Sequence, residues 1–167
     1  MTLDDEIFAS RAIDWARARL GSPDYATRCL AFVEDAVERA NGIEVFGGDD
    51  AAESANLYDA ASRTGVPPRG AFAFYRTTGA IEGQRKDWGH VGLSLGDGTV
   101  IHAWDRVRID DHREVEALTP APGWDRPVWV GWAPLSRVLA GSRERTWTGD
   151  AAEAAVRMQR AHLSGRD

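Results

Sequence analysis

Helical spacing of apolar residues as far as Ser62, the turn-forming run Thr64-Gly65-Val66-Pro67-Pro68-Arg69-Gly70, and an extended pattern beyond it together predict an α+β fold. Helices that precede strands, rather than alternating with them, pack as a layer on one antiparallel sheet. The strand-like segments make that a sheet of about five strands, with one more helix at the C-terminal end.

From Asp4 to Leu20, Ile7, Phe8, Ala12, Trp15, Ala16 and Leu20 mark one helical face, and Gly21-Ser22-Pro23 stops the helix. Thr27 is a good N-cap for a second helix, whose face carries Cys29, Phe32, Val33, Ala36, Val37 and Ala40 and which ends at Asn41-Gly42. Asp49-Asp50 caps a third helix through about Ser62. Strands are expected at Ala71 to Tyr75, His90 to Leu95, Thr99 to Trp104, Arg106 to Ile109 and Pro127 to Trp132. Gly149-Asp150 caps the last helix, Ala151 to His162. Its apolar face is thin, so loose packing or pairing with another chain is expected.

At 167 residues and 18.3 kDa, the chain has the size of one domain that needs neither metal nor disulfide staples. Residues 1–140 are read as that domain and 141–167 as a polar tail with a helix. Apolar residues at 43% and charged ones at 28% fit a globular protein rather than a disordered one. A net charge of −6 offers no basic field to nucleic acid or anionic lipid, so neither is an expected partner. The start, Met1-Thr2-Leu3-Asp4-Asp5-Glu6, is acidic where a secretory signal is basic, and no stretch is apolar enough to span a bilayer. The expectation is a cytoplasmic protein, with export by a dedicated partner machine as the alternative.

The lone cysteine, Cys29, is packing material, a reactive thiol or a single metal ligand. Behind an N-cap at Thr27 it would be the second helical residue, where free N–H groups and the helix dipole favour a thiolate and lower its pKa. Its place on the apolar stripe with Phe32, Val33 and Ala36 equally suits a buried cysteine. The hairpin weighs against the second reading. Leu95-Gly96-Asp97-Gly98-Thr99 suits a three-residue loop with Gly98 left-handed, which sets Leu95 opposite Thr99, His102 opposite Gly92 and His90 opposite Trp104. His90 and His102 then share a face as diagonal neighbours, while Val91, Leu93, Leu95, Ile101 and Ala103 face the core. A two-residue Asp97-Gly98 turn would put the two histidines on opposite faces. A thiol, an imidazole to take its proton and a third polar group to orient that imidazole are what nucleophilic catalysis asks for. His112, in the run Asp110-Asp111-His112-Arg113-Glu114, reads as part of a solvated turn. With one cysteine and no His-x-x-x-His spacing, no metal site and no cofactor are expected.

A cysteine at a helix start, Gly89-His90-Val91-Gly92 in a strand and His102 on the next strand resemble the NlpC-type branch of papain-like cysteine peptidases. The resemblance runs from about Ala12 to Trp132 and is most specific from His90 to His102. It implies a papain-like NlpC-type fold and a Cys-His-His triad that cleaves amide bonds, commonly in bacterial cell-wall peptides. The family has Asp-Cys-Ser-Gly at its nucleophile where this chain has Arg28-Cys29-Leu30-Ala31, and its Gly-Asp before the next strand is Gly70-Ala71 here. Tyr25 stands where the family's tyrosine helps to receive substrate. Arg28 reverses the charge of the family's aspartate and so favours a carboxylate.

The sequence therefore predicts a cysteine amidase or peptidase with Cys29, His90 and His102 catalytic and Tyr25, Arg28, Trp88 and Trp104 around a peptide, amide or acyl substrate. Its alternatives are an acyltransferase or tailoring enzyme with the same triad, and a non-catalytic peptide-binding module.

Overall fold

The computed structural model describes residues 2–164. Helix α1 (Leu3–Arg17) is capped by Thr2, whose side chain accepts from the Asp5 amide while the Asp5 carboxylate accepts from the Thr2 amide. Helix α2 (Cys29–Asn41) ends at Gly42 in the left-handed conformation, and Asp50 caps α3 (Ala51–Leu57). The third helix is shorter than its capping signal implies. Asp59 takes a left-handed φ of 52° and breaks it, leaving Ala60–Ser62 as a separate 3-10 turn. Two-residue strand β1 (Ile43–Glu44) lies between α2 and α3.

The main sheet is made of β2 (Phe72–Arg76), β5 (His90–Ser94), β6 (Thr99–Ala103), β7 (Val107–Asp111) and β8 (Val128–Ala133). It is antiparallel throughout, in the order β7-β6-β5-β2-β8. These five strands and the helices bear out the α+β expectation. A separate hairpin, β3 (Thr78–Ile81) with β4 (Gln84–Asp87), turns at Glu82 and Gly83, both at positive φ. Its strands are polar and only partly buried, so hydrophobic alternation does not mark them. Helix α4 (Leu135–Leu139), strand β9 (Arg143–Glu144) and helix α5 (Ala151–Ser164) complete the described chain.

One sheet face packs on α1 and α2 through Phe72, Phe74, Val91, Leu93, Ile101 and Ala103, which join Ile13, Phe32, Val33 and Val37 in the main core. The opposite face is covered as well: Ala73, Tyr75 and Val100 pack with Val115 beneath Leu118 and Trp129. Both faces of β5 are therefore buried, and His90 and His102 lie on the face of the smaller cluster.

Helix α5 packs as thinly as its narrow apolar face predicts, with one buried residue in its described part. Strand β9 pairs with β1, Ala155 of α5 is 5% exposed within the main core, and Gln159 donates to the Thr27 carbonyl. A few well-placed small contacts against α2 substitute for a broad apolar stripe. No described helix is long and apolar enough to cross a membrane.

Candidate active site

The hairpin register is the one that a three-residue loop predicts. Leu93 pairs with Ile101 and Ser94 with Val100, and Leu95 donates to the Thr99 carbonyl, with Gly96 and Gly98 at φ 86° and 90°. His90 and His102 consequently share a face, and His90 Nε2 lies 2.8 Å from His102 Nδ1. Gly92 leaves room for the pair: a Cβ there would sit 3.1 Å from the Val100 Cβ and 3.2 Å from the His102 Cβ, so those neighbours would have to give by a few tenths of an ångström. His102 is fully buried and His90 3% exposed. Burial lowers the pKa of both, His90 well below the ordinary range and with the neighbouring His102 as a further cause, so both rings are neutral at pH 7.

The charged run after the hairpin is solvated at Asp111, Arg113 and Glu114, as expected of a turn, but not at Asp110 or His112. Strand β7 continues to Asp111, with His102 paired to Arg108 and Val100 to Asp110. Alternation then puts Asp110 on the histidine face, where its Oδ2 is 2.8 Å from His102 Nε2. Arg108 holds the same carboxylate through Nε at 2.7 Å and Nη2 at 3.3 Å. Hydrogen bonds from His102 and Arg108 lower the Asp110 pKa to about 2. Sequence reading ended this strand at Ile109 and missed Asp110; carrying the register across one more strand would have found it. His112 is buried too. Its Nδ1 is 3.0 Å from the Gly98 carbonyl, and the Tyr75 hydroxyl donates to the His112 carbonyl at 2.6 Å.

Cys29 sits at the first helical position, not the second. The cap is Arg28, which makes no side-chain cap bond, and Thr27 takes φ 67°, a left-handed conformation that is costly for a β-branched residue. The Thr27 carbonyl accepts from Gln159 at 3.0 Å, which ties this strained turn to α5. The thiol is half-buried at the edge of the core. Burial pushes its pKa up to about 11, against the opposing backbone N–H groups of Val91, Leu30 and Cys29 itself. The expected low pKa is thus reversed: desolvation outweighs the helix start, and His90 carries no positive charge that would offset it.

Cys29 and His90 line one cavity of about 570 Å³, together with Arg28, Trp88 and Trp104. Gly89 lets α3 close upon it. At φ 71°, its Cα approaches so near that a Cβ would meet the Ala52 nitrogen at 2.5 Å, and that nitrogen donates to the Trp88 carbonyl. Trp104 stands edge-on to His90, ring centroids 5.0 Å apart, and its Nε1 donates to the Thr119 carbonyl. Trp88 donates to the Gly79 carbonyl and so joins the cavity wall to the β3–β4 hairpin. Arg28 is pinned at the rim by the Asp24 carbonyl at 2.7 Å and Gln159 Oε1 at 3.4 Å.

Tyr25 departs from its expected place. It is 2% exposed, packs against Trp15 and Phe32, and donates to Asp35 at 2.8 Å, so it supports α2 from inside and does not line the cavity. Helix α5 supplies a wall that sequence reading missed, through Ala155, Met158, Gln159 and His162. Among the described residues, no group of three or more His, Cys, Asp or Glu could hold a metal ion.

Cys29 and His90 thus line the same cavity, and backbone N–H groups of Val91, Leu30 and Cys29 bond the sulfur; a thiol and a neutral imidazole are the residue types that base-assisted nucleophilic attack employs. No protein-family model and no curated protein matches the chain.

Proposed function

We propose that the protein is a papain-like cysteine hydrolase of NlpC type, acting on an amide or activated acyl substrate through a thioester on Cys29. The observation that carries this reading is the joining of Cys29 and His90 in one cavity while His90 Nε2 is engaged by His102. His90 Nδ1, the ring nitrogen that His102 does not engage, takes the thiol proton as Sγ forms a bond to the carbonyl carbon. In this reading the N–H groups of Cys29 and Val91, which bond the sulfur at rest, stabilise the developing oxyanion. His90 returns the proton to the leaving group, the C–N bond breaks, and water admitted through the cavity hydrolyses the thioester. An amine or alcohol arriving in place of water would give acyl transfer by the same residues.

With the thiol pKa pushed up to about 11 and the imidazole kept neutral by burial, this reading is of a general-base mechanism rather than a preformed thiolate–imidazolium pair. Resting Cys29 is then no more reactive to iodoacetamide at pH 7 than an ordinary thiol, and its activation appears only with an acyl donor in place. Intact-protein mass spectrometry after exposure to p-nitrophenyl acyl esters tests the reading. A single acyl adduct on Cys29 is expected, absent in Cys29→Ala and formed at least about 100-fold more slowly in His90→Ala. Ester turnover that survives Cys29→Ala, or no adduct at all, would leave only a peptide-binding role for the cavity.

A further inference from the structure

We propose that Asp110 is a positioning residue that sets the tautomers of both histidines and thereby leaves the lone pair of His90 on Nδ1. The inference rests on the reading of His90 as the base, and it begins from hydrogen-bond bookkeeping. An ionised carboxylate only accepts hydrogen bonds. Arg108 donates to both of its oxygens, so Asp110 stays ionised and cannot turn away. His102 Nε2, 2.8 Å from Oδ2, must therefore carry a hydrogen.

A neutral imidazole has one N–H, so His102 Nδ1 is an acceptor. His90 Nε2, 2.8 Å away, must then be the donor, and the remaining nitrogen of His90, Nδ1, holds the basic lone pair. Both rings are kept neutral by burial, which removes the doubly protonated forms that would spoil this assignment. The reverse arrangement would aim a His102 lone pair at the carboxylate and put the hydrogen of His90 on the nitrogen needed as the base. When His90 accepts the thiol proton at Nδ1, its Nε2–H already points along a chain of dipoles that ends on a negative charge, which favours the imidazolium. No proton has to move along the chain: the thiol hydrogen passes to His90, His102 keeps its Nε2 hydrogen and Asp110 stays ionised.

The test separates this role from structural support and from the enzyme reading. Nitrogen-15 NMR of histidine-labelled protein at pH 7 is expected to show Nε2 protonated and Nδ1 unprotonated in both rings. In Asp110→Asn the amide can donate or accept, so His102 is expected to populate the other tautomer. Acylation of Cys29 by the p-nitrophenyl ester should then fall by about 10²–10⁴-fold in kcat with KM nearly unchanged. Asp110→Glu, which keeps an acceptor-only group, should keep the wild-type tautomers and recover part of the rate. A wild-type His90 protonated on Nδ1 would overturn the proposal, as would folded Asp110→Asn with wild-type tautomers and turnover. Should Asp110→Asn not fold, the wild-type spectrum decides. Wild-type tautomers as assigned, in protein that never acylates, would support the positioning role and count against the hydrolase.

Discussion

Gly92 shows how much of this site depends on the absence of one carbon. The histidine contact needs β5 and β6 close together at their non-core face, and the nearest neighbours of a Cβ at position 92 are Val100 and His102 themselves. Gly92→Ala is expected to push His102 off its contact, slow Cys29 acylation by at least about tenfold, and cost roughly 1–3 kcal/mol of stability through overpacking. Denaturant unfolding together with the acylation rate checks this, and an unchanged rate would mean that the His90–His102 contact does not govern the base. Residue chemistry was partly legible in advance. Cys29, His90 and His102 stood out because few residue types do nucleophilic chemistry, whereas Asp110 looked like any charge in a polar run. Tyr25 was misplaced because sequence position cannot tell a ring at a cavity rim from one turned inward to bond Asp35.

At the level of elements, α5 has more to do with the site than its composition suggests. It bridges the cavity from Gln159, which bonds the Thr27 carbonyl and Arg28, to His162, 3.7 Å from Asp49. Removal of residues 151–167 should cost little stability, because Ala155 is the one buried residue of its described part and Met158 is 52% exposed. It should also hydrate the thiol. With desolvation the main reason for its high pKa, Cys29 should titrate nearer its ordinary value and label faster with iodoacetamide at pH 8. An unchanged labelling profile would show that the remaining walls alone bury the thiol. The helices and main strands were readable because apolar periodicity reports burial. The β3–β4 hairpin, β1, β9 and α4 were not, because they are short or polar and owe their form to what they pack against.

Across the whole molecule, buried carboxyl groups contribute to the pH response. Glu38 accepts from the Val45 amide, yet burial, then the charges of Asp35 and Glu44, raise its pKa to about 7 from 4.5. A pKa raised on folding means that the folded state binds the proton more tightly. That contribution is full below pH 4.5 and is lost as pH rises through 7. Glu34, also raised by burial and by acidic neighbours, acts in the same direction. These carboxyls destabilise the fold as pH rises from 6 to 8, while the buried neutral His90 and His102, which bind protons only when unfolded, act in the opposite direction, so the carboxyl contribution is read by comparing variants. Glu38→Gln, which keeps an acceptor for Val45, should regain about 1–3 kcal/mol at pH 8 relative to pH 6. Melting curves at the two pH values check it, and an equal slope in both proteins would locate the effect elsewhere.

The sequence by itself determined the order of the main helices and strands, narrowed the histidine register to two turn geometries and singled out the nucleophile candidate, because periodicity and turn chemistry are local. Tertiary structure decided the rest. It covered the histidine face with a second small core, brought Asp110 across a strand to His102, turned Tyr25 inward and laid α5 over the cavity. It also reversed the expected acidity of Cys29, since desolvation is a property of everything packed around a group and not of its neighbours in the chain.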